Sequence, residues 1–240
     1  MRIIYLSPHL DDAVLSAGGL IRAQSSAGAH VEIWTCMAGI PEPADPGEFA
    51  RMMHLIWGFA DGRECVTSRR LEDQRAAALV GALPVHLDFL DCLYRRGSDG
   101  QALYADAVLP VQPDDSELPA AISRLIAGRL QPDDMVVCQL AIGRHVDHVI
   151  VRQAAEMLDR PLTYDADMPY LLNHPGDLEP ATTGMLASLQ PVSEGDYRCW
   201  LEAIDCYTSQ VASVFGSHEV MHQVMDEFWN EQHGIRLWEP

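Results

Sequence analysis

The sequence predicts an α/β fold, a Rossmann-like and mostly parallel sheet with helices on both faces, and three observations carry that expectation. Short runs rich in Val, Ile, Leu and aromatics alternate along the chain with segments whose apolar residues recur at helical spacing. Alternation of that kind puts strands side by side in parallel and covers both faces of the sheet with helices. Two clusters of histidine and aspartate follow directly on two of the strand-like runs, where ligands bind in open α/β sheets.

The elements follow in order. "RIIYLS" (2–7) reads as the first strand, and residues 12–27 as a helix through Val14, Leu15, Leu20 and Ile21. "HVEIWTCMAG" (30–39) is the second strand, followed by helical spacing over 46–60 and 71–82. "PVHLDFLD" (84–91) is the third, and "RRGSDG" and "PVQPDDSELP" make 96–119 a long loop, over the site if it folds back. A helix over 116–130 carries Ile122, Leu125 and Ile126, and then come the strand "DMVVCQLA" (134–141), a helix over 147–158 and the strand "PLTYDADMP" (161–169).

A chain of 240 residues suits one domain, 1–240, with a sizeable core. Its 48% hydrophobic content is ordinary, whereas the net charge of −19 argues against nucleic acid or an anionic membrane as partner. No apolar run approaches the roughly 20 residues of a membrane span. Chain entry directly into "RIIYL", and six cysteines without a CxxC pair, suggest a soluble cytoplasmic protein with reduced thiols.

"SPHLDDAVLSAGG" (7–19) crowds His9, Asp11 and Asp12 at a strand-to-helix turn. A helix start accounts for the aspartates, one as N-cap and one in the first turn, but not for the histidine. "IGRHVDHVIV" (142–151) repeats the arrangement, with His145 and His148 three apart on one helical face and Asp147 the natural cap between them. Converging at the C-terminal ends of parallel strands, the two clusters offer imidazoles and a carboxylate, the ligand set of a catalytic zinc site open to water.

"PHLDD" followed by "HVDH" resembles the PIG-L/LmbE family of metal-dependent N-deacetylases, whose motifs usually read HPDDE and HxDH. "SRRLEDQRAAALVGA" (68–82) and "LDFLDCLYR" (87–95) are similar to further family segments, so the resemblance covers most of residues 1–160. It implies that His9, Asp12 and His148 hold Zn2+, or Fe2+ or another divalent metal, and that Asp11 is the general base for a metal-activated water. It implies a protonated His145 that stabilises the oxyanion, and an Asp147 that orients a neighbouring histidine. It also implies substrate contacts from Arg69, Arg70 and Asp91, with Tyr94 and Arg95 close enough to line the same mouth. Leu10, Ala13 and Val146 depart from the usual proline, acid and proline. The activity implied is removal of an N-acyl group, acetyl above all, from a small amino-sugar-like substrate.

Three other readings compete. "HEVMH" (218–222) fits the zinc-peptidase HExxH pattern, with His218 and His222 as ligands and Glu219 as base. Only 18 residues follow His222, so an amphipathic helix packing Val220, Val224 and Phe228 inward is the favoured account. Two histidines and a carboxylate also suit non-haem Fe(II) oxygenases, although on other folds. A metabolite-binding module whose acidic clusters are helix caps is the non-enzymatic option. Tyr164, Asp165 and Asp167 read as core or loop.

Overall fold

Strand β1 (Arg2–Ser7) shows how the chain builds its core. Ile3 and Tyr5 join one buried apolar cluster while Ile4 and Leu6 join another, so successive side chains feed opposite faces of the sheet. Both faces are therefore covered, as the run of buried residues in β1 requires.

The computed structural model describes residues 1–42 and 45–240. After β1 come α1 (Asp12–Ser26), β2 (His30–Thr35), α2 (Glu48–Trp57), α3 (Gly62–Val80), β3 (Leu83–His86), α4 (Leu118–Ala127), β4 (Met135–Gln139), α5 (Val146–Glu156) and β5 (Thr163–Asp165). The C-terminal part adds α6 (Tyr170–Asn173), α7 (Leu178–Ala181), β6 (Leu186–Pro191), α8 (Glu194–Ile204), α9 (Thr208–Phe215), α10 (His218–Gln232) and β7 (Gly234–Glu239). The strand order is β3-β2-β1-β4-β5-β7-β6. The first five strands pair in parallel, and β7 runs antiparallel to both β5 and β6.

That order reverses direction beside β1. The chain steps outward through β2 and β3, then crosses to β4 on the other side of β1. Loops leaving β1 and β4 diverge at this switch point and open a crevice at the C-terminal ends of the strands. Both histidine–aspartate clusters lie on those two loops.

α8 seals α1 from behind. Trp200 lies so close to α1 that a Cβ on Gly18 would meet its ring at 2.4 Å, and Trp200 Nε1 donates to Val14 O at 2.6 Å. Glycine in mid-helix is unfavourable in isolation, and here it admits a fully buried indole.

Two expectations need correcting. α3 starts at Gly62, not at 71, because Asp61 accepts from Glu64 N–H at 2.8 Å while Glu64 accepts from Ala60 N–H at 2.8 Å. This reciprocal cap extends the helix over a segment without a strong apolar stripe. The strands expected over 30–39, 84–91 and 161–169 are also shorter than their apolar runs, since chain leaving the sheet continues into the buried crevice. All six cysteines are free, and no helix among the described residues is long and apolar enough to cross a membrane.

Candidate active site

The turn after β1 is not an ordinary helix cap. Asp11 occupies the N-cap position of α1, yet its side chain makes no capping bond. Ser7 serves the turn instead: its Oγ accepts from Ala13 N–H at 3.0 Å and donates to His9 O at 2.7 Å. Asp12 folds back on His9, its Oδ2 accepting from His9 N–H at 2.7 Å and lying 3.1 Å from His9 Nδ1. Asp11 is left free for the crevice.

The second cluster is built by strained backbone. Ala141, Gly143 and Arg144 all have positive φ, and a Cβ on Gly143 would meet the Tyr170 ring at 2.7 Å. Such a sharp turn swings His145 to the start of α5, where its Nδ1 accepts from Asp147 N–H at 3.2 Å. His145, not Asp147, is therefore the cap, contrary to the expectation. Asp147 turns inward instead: Oδ2 accepts from Cys92 N–H at 2.9 Å and lies 3.1 Å from His9 Nε2.

The clusters meet. His148 Nε2 lies 3.3 Å from Asp12 Oδ2, the oxygen that also faces His9 Nδ1. Ring nitrogens of His9, His145 and His148 fall within 4.8 Å of one another. Neighbouring ligands in a tetrahedral zinc site with bonds of about 2.0–2.1 Å stand roughly 3.3 Å apart, the spacing seen around Asp12 Oδ2. His148 Nε2 is moreover a buried nitrogen without a hydrogen-bond partner. Nδ1 of the same ring contacts Asp167 Oδ1 at 2.7 Å, so Nε2 faces inward as a ligand nitrogen does. The three imidazoles could hold a divalent metal, with the Asp12 carboxylate against two of them.

Burial and charge explain the protonation preferences. Burial lowers the affinity of His148 for a proton, but Asp12 and Asp167 more than offset it and hold the group at about 9. Burial likewise opposes the His9 charge, and Asp12, Asp147 and Asp91 raise it well above the ordinary value. Burial pushes Asp11 up to about 6 despite Arg69, whose Nη2 lies 3.5 Å from Asp11 Oδ2. His145 is held well below the ordinary range by burial and by the positive charge of His9 and His148. In the metal-free protein His145 is thus neutral, with its proton on Nε2 because Nδ1 accepts from Asp147 N–H.

A cleft of about 310 Å³ opens at this cluster. His9, Asp11, Asp12, Arg69, Asp91 and His145 face it, with Phe49, Met53 and Trp57 of α2 on one wall. Arg69 is a buried mid-helix residue, its guanidinium 5.0 Å from the centre of the Trp57 ring. Arg70 is not among the lining residues: it donates to Ala38 O and Asp88 Oδ1, both at 2.8 Å. Tyr94 and Arg95 are also absent from the lining, the Tyr94 hydroxyl being paired with His54 Nε2 at 2.9 Å.

Sequence reasoning missed Asp167, whose second oxygen accepts from Ile142 N–H at 3.0 Å. Its signal was only a carboxylate just past the last parallel strand. Tyr170, Asn173, Gln210, Ser213 and Val214 also line the cleft and come from the C-terminal part, where no motif marks them.

The HEVMH segment lies apart from the cleft lining. His218 Nδ1 and His222 Nε2 both contact the Asp205 carboxylate, at 2.6 and 2.7 Å. Neither belongs to a group of three such donor atoms within 4.8 Å among the described residues. Met221 and Met225 form the buried face of α10, and the expected inward residue Val220 is exposed.

The family model described as PIG-L, GlcNAc-PI de-N-acetylase, matches residues 4–158, the stretch that carries both clusters. The chain belongs to the PIG-L family. As a PIG-L member it is an enzyme of the N-deacetylase class. It is 29% identical over 189 residues to 2'-N-acetylparomamine deacetylase of Niallia circulans, covering 71% of this chain and 68% of that protein. The zinc-inhibited form of teicoplanin deacetylase Orf2 superposes with a TM-score of 0.88 at 30% identity, covering 100% of this chain and 97% of that one. The A40926 pseudoaglycone deacetylase Dbv21 gives 0.78 at 26% identity, covering 99% and 96%. These two superpositions include the C-terminal part that the PIG-L match leaves out.

Proposed function

We propose that the protein is a divalent-metal-dependent hydrolase that removes the acetyl group from an N-acetylated amino sugar carried by a small conjugate. The observation that carries this reading is Asp12 Oδ2 set between His9 Nδ1 and His148 Nε2 at 3.1 and 3.3 Å, with the Asp11 carboxylate beside it and bonded to neither ring. His9, Asp12 and His148 would hold zinc or ferrous iron, both of which accept two imidazoles and a carboxylate. Such a metal supplies Lewis acidity, lowering the pKa of water it binds from about 15.7 toward roughly 7.

The chain's own groups supply the rest. Asp11, at about 6, is ionised at neutral pH and still basic enough to take a proton from the attacking water. Arg69 faces Oδ2, which leaves Oδ1 for that proton. Neutral His145 donates from Nε2 to the amide oxygen as charge develops there, a contribution of about 3–4 kcal/mol for one well-placed donor. Asp11 returns its proton to the departing amine. Arg69 and Asp91 on the same cleft support binding of sugar hydroxyls. Relatives named for 2'-N-acetylparomamine and for teicoplanin favour an N-acetyl group carried by a larger molecule. Free cysteines fit a reducing, cytoplasmic setting.

Metal analysis of wild type and His148→Ala, paired with amine release from N-acetylglucosaminides, tests the reading. We expect about one zinc or iron per wild-type chain and loss of both metal and activity in the variant. A wild type that releases amine equally well after exhaustive chelation overturns it.

A further inference from the structure

Asp147 has a fully buried side chain whose Oδ2 accepts from Cys92 N–H and faces His9 Nε2, so its orientation bears directly on the His9 ring. An isolated buried carboxylate is penalised by several kcal/mol and neutralises or turns away unless a cation accompanies it. The cation is Arg95, whose Nη1 lies 2.6 Å from Asp147 Oδ1. Arg95 does not line the cleft. It is itself held from three directions: Nε donates to Asp115 Oδ2 at 2.6 Å, Nη1 donates to Leu90 O at 2.9 Å, and the guanidinium lies 5.1 Å from the centre of the Tyr104 ring. Tyr104 closes the assembly by donating its hydroxyl to Asp115 Oδ2 at 2.8 Å.

A rigid train of buried groups thus runs from the 96–117 segment to the back of His9: Tyr104, Asp115, Arg95, Asp147, His9. We propose that Arg95 is a positioning residue for the metal site, holding the Asp147 carboxylate aimed at Nε2 of His9 so that His9 presents Nδ1 toward the position it shares with Asp12 and His148. This inference rests on the reading of His9 as a metal ligand given above. A carboxylate bonded to the far nitrogen of a ligand imidazole sets its tautomer and ring orientation, and losing such support typically costs about 10- to 100-fold in metal affinity. Arg95 acts one step further back. The planar guanidinium suits the place because it contacts both Asp147 and Asp115 from separate nitrogens, which an ammonium cannot reproduce in full.

The test uses the full chain as wild type, Arg95→Met, Arg95→Lys and Asp115→Asn. Two readouts do not depend on turnover: cobalt(II) affinity by competition with a chelator, and the proton resonance of His9 Nε2–H in the metal-free protein, assigned by its loss in His9→Asn. We expect Arg95→Met to weaken cobalt binding about 10-fold and to shift or broaden the His9 resonance, with Arg95→Lys restoring part of both. Asp115→Asn, which keeps the Arg95–Asp147 pair, should lower the Tm yet leave cobalt affinity within about 2-fold. The inference is overturned if Arg95→Met leaves affinity and resonance unchanged, or if Asp115→Asn loses as much affinity as Arg95→Met at an equal loss of Tm, because Arg95 would then be structural. Should Arg95→Met not fold, Arg95→Gln takes its place in the comparison. A wild type that binds no cobalt, with the resonance still displaced in the Arg95 variant, sinks the metal reading and leaves the positioning of His9 standing.

Discussion

Replacing Asp11 by asparagine should make the enzyme nearly inactive and, at neutral pH, more stable. Asp11 is buried, and its folded-state carboxyl titrates at about 6 against a reference value of 3.8. A carboxylate whose pKa is raised by folding destabilises the fold in its ionised form: the penalty is fully present above pH 6 and absent below about pH 4. Two pKa units correspond to roughly 3 kcal/mol, an upper bound because the asparagine amide must find partners of its own. We expect a gain of about 1–2 kcal/mol in the metal-free protein at pH 7.5, or a Tm rise of about 2–8 °C for a chain of this size. Removing a general base costs about 10²- to 10⁴-fold in kcat. Asp11 contacts neither His9 nor His148, so metal content should stay at the wild-type level. Urea unfolding at pH 7.5 and 4, metal analysis and amine release measure all three. A variant that keeps more than a tenth of the activity, loses its metal, or is as much stabilised at pH 4 as at pH 7.5 would refute the assignment of Asp11 as a buried base.

Asp167→Ala should weaken metal binding by about 10- to 100-fold, since His148 loses the carboxylate on Nδ1; chelator competition reads this directly, and an unchanged affinity would show that Asp167 is only core. In the metal-free protein His148 sits at about 9, so at pH 7.5 it carries a proton that a metal must displace. Calorimetry in buffers of different ionisation enthalpy should therefore detect proton release on metal uptake, with affinity rising with pH up to about 9. Glu219→Gln and His222→Ala should retain both metal and activity; a loss of either in the glutamate variant would revive the peptidase reading.

Much of the parallel half of the fold was legible because buried parallel strands must be apolar on both faces and the helices between them must be amphipathic. The runs at 2–7 and 134–141 fall on β1 and β4 for that reason. α3 was placed late because a reciprocal cap at Asp61 and Glu64, not an apolar stripe, starts it. The C-terminal part was not legible: its packing on α1 depends on Trp200 meeting Gly18 and Gly19 across most of the chain, and no local pattern records such a pair.

For the proposed site, the sequence by itself singled out the two turns, since a histidine beside paired carboxylates at a strand end has few structural explanations. Only the tertiary structure decided what each group touches there. Asp11 and Asp12 are adjacent and chemically identical, and they part company because Asp12 folds back on His9 and faces His148 while Asp11 meets Arg69. In the metal-free protein His145 is held well below the ordinary imidazole range by burial and by the charge of His9 and His148, which spacing along the chain does not reveal. Asp167 and Arg95 join the site through contacts spanning 19 and 52 residues of chain. Protonation, ligand geometry and orientation follow from distances among distant residues in a low-dielectric interior, and spacing along a chain carries no such information.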